Sequence, residues 1–384
     1  MQKRILHISK FYEPYKGGIE NICHTIAGVV KERSKDSRQI VICFNESGVN
    51  EKDIIDGVEV YRVAVELIIA RQPLSVSYLI TLRRLLKNFK PNIIHFHAPN
   101  PLVAALLLLL GYKDCKLIVH WHLDIVAQKN IYRFIKPIES IMLSRCDKII
   151  ATSPNYACGS APLQRHKDKI SILPNFIDGK KFERTEWVNA RIEELRASYN
   201  NKPIVLFVGR HVPYKGLSYL IEAIKYVKND AVFLIGGTGS LTEELQHQAK
   251  ALKNVHFLGR IADCDLVPMY YAADIFAFPS ITKNEAFGVA LAEAMYCDTP
   301  AVTFTINGSG VNWVNIHNHT GLEVPNADSW SFATALDTLI RDKELRERFS
   351  RNAKERVATH FLQSSIEEVL MESIYKFDED GHKK

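Results

Sequence analysis

The chain has 384 residues, of which 47% are hydrophobic and 24% charged, and 49 Lys+Arg against 43 Asp+Glu give a formal net charge of +6. That length holds two or three domains, each able to bury its own core, and the composition excludes a disordered, collagen-like or disulfide-stapled chain. The small positive surplus suits an acidic ligand or an anionic membrane surface and is too weak to indicate nucleic acid. The seven cysteines form no Cys-x-x-Cys pair and read as reduced thiols, hence a cytoplasmic location.

Taken in chain order, residues 4–9 form a first strand rather than a signal peptide, because the apolar stretch is short and broken by His7. A Gly17-Gly18 turn follows, with a helix starting near Ile19. Strands are expected at 39–44 and 58–63, then a basic amphipathic helix over 77–90, and strands at 92–97, 116–121 and 148–152. The nine apolar residues 102–110 are too few for a membrane span, which needs about 20, and read as a buried helix. A turn and a charged helical stretch over 174–202 mark a linker. Beyond it come strands at 203–208, 231–235, 254–258, 274–278 and 300–304, and a charged helical tail whose last residues fray. Near-continuous apolar strands alternating with helices predict an α/β chain of two Rossmann-like halves with parallel sheets, facing each other across a cleft. The expected boundaries are 1–180, 181–361 and a C-terminal segment 362–384.

Five places carry candidate chemistry. Gly17 and Gly18 allow backbone amides to approach an anion at a helix start, although an ordinary turn explains them as well. Arg210 and Lys215 flank a turn at a strand's carboxyl end, where a bidentate guanidinium and an ammonium suit a diphosphate; the alternative is a solvated basic loop. Gly237 and Gly239 form a tight turn that lacks the third glycine of a dinucleotide site, since Thr242 stands there, and lacks a P-loop lysine. Glu285 and Glu293 bracket a helix start at Phe287, Gly288 and Val289, whose amides point outward. Glu293 lies on an apolar face and needs a partner, such as a sugar or ribose hydroxyl. The plainer reading is a helix cap for Glu285 and a salt bridge for Glu293. His122 closes a strand in the first half, and His95 and His97 close another and read as structural or acceptor-side. No carboxylate or cysteine stands at ligand spacing to these histidines, so no metal site is expected.

With these residues in view the chain resembles the retaining family-4 glycosyltransferases of GT-B fold over nearly its whole length. The resemblance rests on Gly17-Gly18, the His122 segment, Gly209-Arg210, Lys215-Gly216, Gly237/Gly239 and the Glu285/Glu293 pair with Phe287-Gly288 between. Residues 122–129 and 282–288 look most like bacterial mannosyl- or rhamnosyltransferases that build surface polysaccharide. The resemblance implies that Arg210 and Lys215 hold a donor diphosphate, Glu285 and His122 contact the donor sugar, and Glu293 holds the ribose. It also implies a helix near 362–376 that crosses back to the first domain. The donor is expected to be a nucleotide diphosphate sugar, GDP-mannose first and a UDP-sugar next. The acceptor is expected to be a glycan or polyprenyl-diphosphate-linked saccharide of O-antigen, capsule or lipopolysaccharide assembly. No cofactor or metal is required in that reading. The basic amphipathic pattern of 77–90 by itself suits a helix lying on the inner face of an anionic membrane, while a helix packing its apolar face on the sheet explains most of the same surface. The competing readings are a GT-B sugar-nucleotide epimerase, which needs no acceptor, and a donor-binding partner subunit, which need not keep Glu285 and His122.

Overall fold

A computed structural model describes residues 2–15, 17–69, 72–112, 114–125 and 129–376. The chain divides into two compact units. The first takes residues up to 152, 160–173 and those from 367; the second takes 153–159 and 174–366.

The first unit contains β1 (Arg4–Ile8), β2 (Arg38–Asn45), β3 (Glu51–Ile55), β4 (Val58–Ala64), β5 (Leu67–Ile69), β6 (Gln72–Leu74), β7 (Ile93–Ala98), β8 (Lys116–Trp121), β9 (Lys148–Ala151) and β10 (Ile170–Ile172). Among the described residues, eight of these form one sheet in the order β10-β9-β8-β7-β1-β2-β4-β3, while β5 and β6 make a separate hairpin. Every neighbour in the large sheet is parallel except β3, which runs antiparallel to β4. The central strands are buried on both faces, as β2 and β7 show, because helices cover both sides. This is why the sequence reads there as Ile/Val runs rather than as alternation.

The second unit contains β11 (Ile204–Val208), β12 (Val232–Gly236), β13 (Val255–Gly259), β14 (Ile275–Phe278), β15 (Ala301–Phe304) and β16 (Gly321–Val324). Their order is β13-β12-β11-β14-β15-β16, all parallel. Counted within the unit this is 3-2-1-4-5-6, the dinucleotide-fold order, in which the order of strand addition reverses between β11 and β14. Ligands of such sheets bind at the carboxyl ends of the two strands flanking that reversal. Leu206, Phe276, Phe278 and Leu291 belong to the buried core beneath it.

The C-terminal stretch is helical over Gln363–Val369 and continues as a wider turn over Leu370–Ile374. Within the first unit, Glu367 accepts from Arg33 at 2.5 Å and the Tyr375 hydroxyl meets His95 at 2.5 Å. The fraying tail expected at 377–384 lies outside the described residues. No described helix is long and apolar enough to cross a membrane.

Candidate functional site

Arg210 and Lys215 both follow β11, and Glu285 follows β14, so the sheet order brings them to the carboxyl ends of the two strands at the reversal. After β11 the chain makes a short turn, Pro213–Lys215, which points Lys215 inward; the residue is only 9% exposed. Its ammonium pairs with the Glu285 carboxylate and lies over the rings of Phe278 (5.0 Å) and Tyr214 (5.6 Å). The Ser280 hydroxyl donates to the same Glu285 oxygen at 3.1 Å. Arg210 is exposed and its guanidinium donates to the Tyr214 hydroxyl at 3.2 Å, which joins it to the same group. Ser280 and Tyr214 were not singled out in the sequence. Tyr214 lies inside the Arg210–Lys215 loop and was legible there.

The backbone around Glu285 is held from both sides. Its N–H donates to Thr282 O at 3.0 Å, Ser309 donates to its carbonyl, and Gly310 N–H donates to Ala286 O at 3.0 Å. Phe287 turns its ring into the core, edge-on to Phe361 at 5.3 Å. Gly288 then caps the helix Val289–Tyr296 at φ 92°, a left-handed conformation in which a Cβ would also press on the Phe278 ring at 3.2 Å. Ala292 N–H closes the first turn on Gly288 O at 3.1 Å, so the preceding amides begin the helix with no carbonyl one turn back.

Glu293 sits apart from the lysine. Its carboxylate accepts from the buried Tyr270 hydroxyl at 2.9 Å. Burial pushes its pKa up, opposed by the Tyr270 hydrogen bond and by Lys181. The salt bridge expected as the plainer reading is therefore a tyrosine hydrogen bond, and Tyr270, 23 residues upstream, gave no sequence signal.

The glycine turn after β12 has a packing cause. A Cβ on Gly237, at φ 111°, would stand 1.9 Å from Gly209 O, and one on Gly239 would stand 2.4 Å from His211 O. The turn thus presses its backbone against the loop that carries Arg210. Thr242, where a dinucleotide fingerprint has glycine, accepts from Gly239 N–H at 2.9 Å and meets His211 Nδ1 at 3.0 Å.

In the first unit, Gly17 is the extended residue preceding the helix Gly18–Arg33. The Glu20 side chain folds back over it, with a carboxylate oxygen 2.2 Å from where a Cβ on Gly17 would stand. An anion binding at this turn has to displace that carboxylate. Lys16 of the same motif lies outside the described residues, as do 126–128 of the segment after His122. His122 is buried, its Nε2 is 3.0 Å from His97 Nδ1, and its ring stacks on His120 at 4.0 Å. Burial lowers its pKa to about 3, so the ring is neutral near pH 7. A cavity of about 720 Å³ lies beside Tyr219, Glu222 and Trp330 and shares none of the candidate residues.

The two cations differ in burial, and this separates their expected mutants. Lys215→Ala leaves a largely buried carboxylate without its cation, a class of change that costs about 3–5 kcal/mol. Arg210→Ala removes an exposed group, for which about ±0.5 kcal/mol is typical. Calorimetry should therefore show Tm falling by several degrees for the first variant and hardly moving for the second. Equal shifts would contradict the burial described here.

Two family descriptions match the chain: "Glycosyl transferases group 1" over residues 190–356 and "Glycosyltransferase Family 4" over residues 16–181. A D-rhamnosyltransferase of Pseudomonas aeruginosa is 31% identical over 92% of this chain and 91% of its own length. An O-antigen chain mannosyltransferase of Escherichia coli is 27% identical over 93% and 94%. Among solved structures, Anabaena HepE in complex with UDP and glucose superposes with a TM-score of 0.78 at 20% identity, over 98% of this chain and all of that one.

Proposed function

Because the chain belongs to the family-4 glycosyltransferases of GT-B fold, we propose that it moves a hexose from a nucleotide diphosphate sugar to a glycan or lipid-linked saccharide, with retention at the anomeric carbon, in assembly of a bacterial surface polysaccharide. The observation that carries this reading is the meeting of Lys215, Glu285 and the Arg210 loop at the strand reversal of the second unit.

Breaking the anomeric C–O bond builds positive charge on the sugar and negative charge on the departing diphosphate. Arg210 and Lys215 balance the second charge, aided by the first amides of the helix after Gly288. The Gly17-Gly18 amides add to this once Glu20 turns aside. These groups stand in for a divalent ion at the diphosphate. Glu285, steadied by Lys215 and Ser280, accepts hydrogen bonds from the donor sugar's hydroxyls. Glu293 takes the ribose hydroxyls beside Tyr270. His122 offers the sugar a neutral imidazole nitrogen. The diphosphate itself helps to deprotonate the acceptor hydroxyl, which then adds to the same face of the sugar.

GDP-mannose is the first donor to test and UDP-hexoses the next. A donor stabilises the fold by mass action, so a thermal-shift screen of nucleotide sugars should pick one out by several degrees. Mass spectrometry with that donor and polyprenyl-diphosphate saccharides should then show an acceptor heavier by one hexose residue. No shift with any nucleotide sugar overturns the reading. An isomerised donor sugar without an acceptor points instead to epimerisation.

We also place this activity at an anionic membrane face. The helix Val76–Asn88 buries Tyr78, Leu82 and Leu85, yet leaves Val76 (63%) and Ile80 (55%) exposed, along with Leu67 and Ile68 of the hairpin. Arg83, Arg84 and Lys87 are exposed on the same helix. Exposed apolar side chains with basic residues on one helix suit an acidic lipid surface. Replacing the three cations with glutamate should abolish flotation with anionic vesicles. Unchanged flotation removes this placement.

A further inference from the structure

Parallel strands β1, β7 and β8 lie side by side in the first unit, and their register sets His7 beside His95 and His97 beside His120. His95 and His97 are two apart on one strand, so both rings stand on the same face. The result is a layer of rings with centroids 5.5 Å (His7–His95), 4.5 Å (His95–His97) and 5.3 Å (His97–His120) apart. His7, His95, His97 and His120 are all at most 1% exposed.

Their hydrogen bonds are incomplete in a patterned way. His95 Nδ1 meets Tyr375 Oη at 2.5 Å, and His97 Nδ1 meets His122 Nε2 at 3.0 Å. Among the described residues, the Nε2 atoms of both rings and both nitrogens of His120 have no partner. Folded interiors leave few buried polar atoms unsatisfied, and several such nitrogens in one place call for a partner, an ordered water or an ion. His95, His97 and His120 each offer one ring nitrogen within 4.8 Å of the others. We propose that these three histidines bind a divalent transition-metal ion of the zinc class.

Burial keeps all three imidazoles well below their ordinary pKa, in the neutral form that ligates. An all-imidazole set with no carboxylate favours zinc, cobalt, nickel or copper over magnesium or calcium. Three histidines leave a fourth position for water. Tyr375 and His122 hold the far nitrogens of two ligands, the usual outer support of a metal-bound histidine. The planes of His95 and His97 lie 15° apart, so ligation turns the rings about their Cβ–Cγ bonds until the lone pairs converge. A metal on His97 Nε2 requires the proton on Nδ1. That proton is then donated to His122 Nε2, which leaves the His122 proton on Nδ1. A second grouping, His7, Cys23 and His97, is also close enough, but Cys23 is buried with its pKa pushed well up and would have to lose a proton to bind. The proposal concerns the first unit alone and does not depend on the donor reading.

Tag-free protein, stripped with EDTA and desalted, would be titrated with Zn²⁺ against a chromophoric chelator and loaded separately with Co²⁺. One ion per chain is expected, with visible Co²⁺ absorption of tetrahedral intensity. X-ray absorption of the zinc-loaded wild type should show nitrogen ligands at about 2.0 Å and no sulfur at about 2.3 Å. His95→Gln, His97→Gln and His120→Gln should each weaken binding about 100-fold or more, whereas Cys23→Ser should leave it unchanged. Circular dichroism of each metal-free variant separates lost ligation from lost folding. The wild-type measurements stand even where a variant fails to fold. Absence of stoichiometric uptake, a sulfur ligand, or folded histidine variants that bind as the wild type does would each overturn the proposal.

Discussion

Glu285→Ala is expected to lower turnover by about two to three orders of magnitude, the loss typical when one preorganised polar contact to a transition state is removed. The expectation follows from how firmly the carboxylate is placed. Lys215 and Ser280 bind the same oxygen, and the loop's backbone is fastened through Thr282, Ser309 and Gly310. Such a group loses little entropy when substrate arrives, so its contact is available to the transition state. The alanine variant also leaves Lys215 without its carboxylate, which lowers Tm, but the ammonium keeps its position over Phe278 and Tyr214. Glu285→Gln is the cleaner companion: it keeps an acceptor for Ser280 and Lys215 while removing the charge. Both variants should show kcat and kcat/KM falling together on folded protein, the pattern of an interaction made mainly in the transition state. Near-normal turnover in both, with intact melts, sinks the role given to Glu285.

Acid should unfold the first unit before the second. Burial holds His7 at about 4 and His122 at about 3, and places His95, His97 and His120 well below the ordinary 6.5. A histidine whose folded pKa is depressed is neutral in the fold and free to protonate when unfolded. Its stabilising contribution is therefore complete above pH 6.5 and is lost as pH falls toward the folded value. His7 and His122 each lose roughly 3 kcal/mol by pH 4 on this basis, and a domain's whole stability is roughly 5–15 kcal/mol. Glu293 in the second unit pulls the other way, as does the buried Glu139 of the first, raised to about 7 by burial, against the five histidines of the first unit. A raised carboxyl pKa costs stability as pH rises and relieves that cost as pH falls. Hydrogen exchange between pH 6.5 and 4 should show β1, β7 and β8 losing protection while β11 and β14 retain it. Simultaneous loss, or loss from β11 and β14 first, would falsify the assignment of neutral rings.

The buried parallel strands were legible because their sequences are unbroken apolar runs: residues 203–208 and 274–278 sit where β11 and β14 do. Two of the strands without a clear sequence pattern, β3 and β10, have physical reasons for it. β3 reads Glu-Lys-Asp-Ile-Ile and lies largely exposed at a sheet edge, so it has no apolar pattern, and β10 is three residues long. Among site residues, Arg210, Lys215 and Glu285 could be found because each follows an obvious strand. Partners supplied from elsewhere in the chain could not: Tyr270 is buried on its own helix before it reaches Glu293, and Ser280 looks like any loop serine. The grouping of the histidines has no signal along the chain, because β7 and β8 create it across the sheet, where His97 faces His120.

The antiparallel outer strand of the first sheet, β3, also bears on whether that sheet can be extended by another strand. β3 offers its free side to solvent with Glu51, Lys52 and Asp53 along it, and Lys52 and Asp53 are tied back to Glu59 and Arg62 of β4. A second molecule that tried to extend the sheet would have to strip water from those charges at every other rung. This edge of the sheet thereby resists pairing with a second strand.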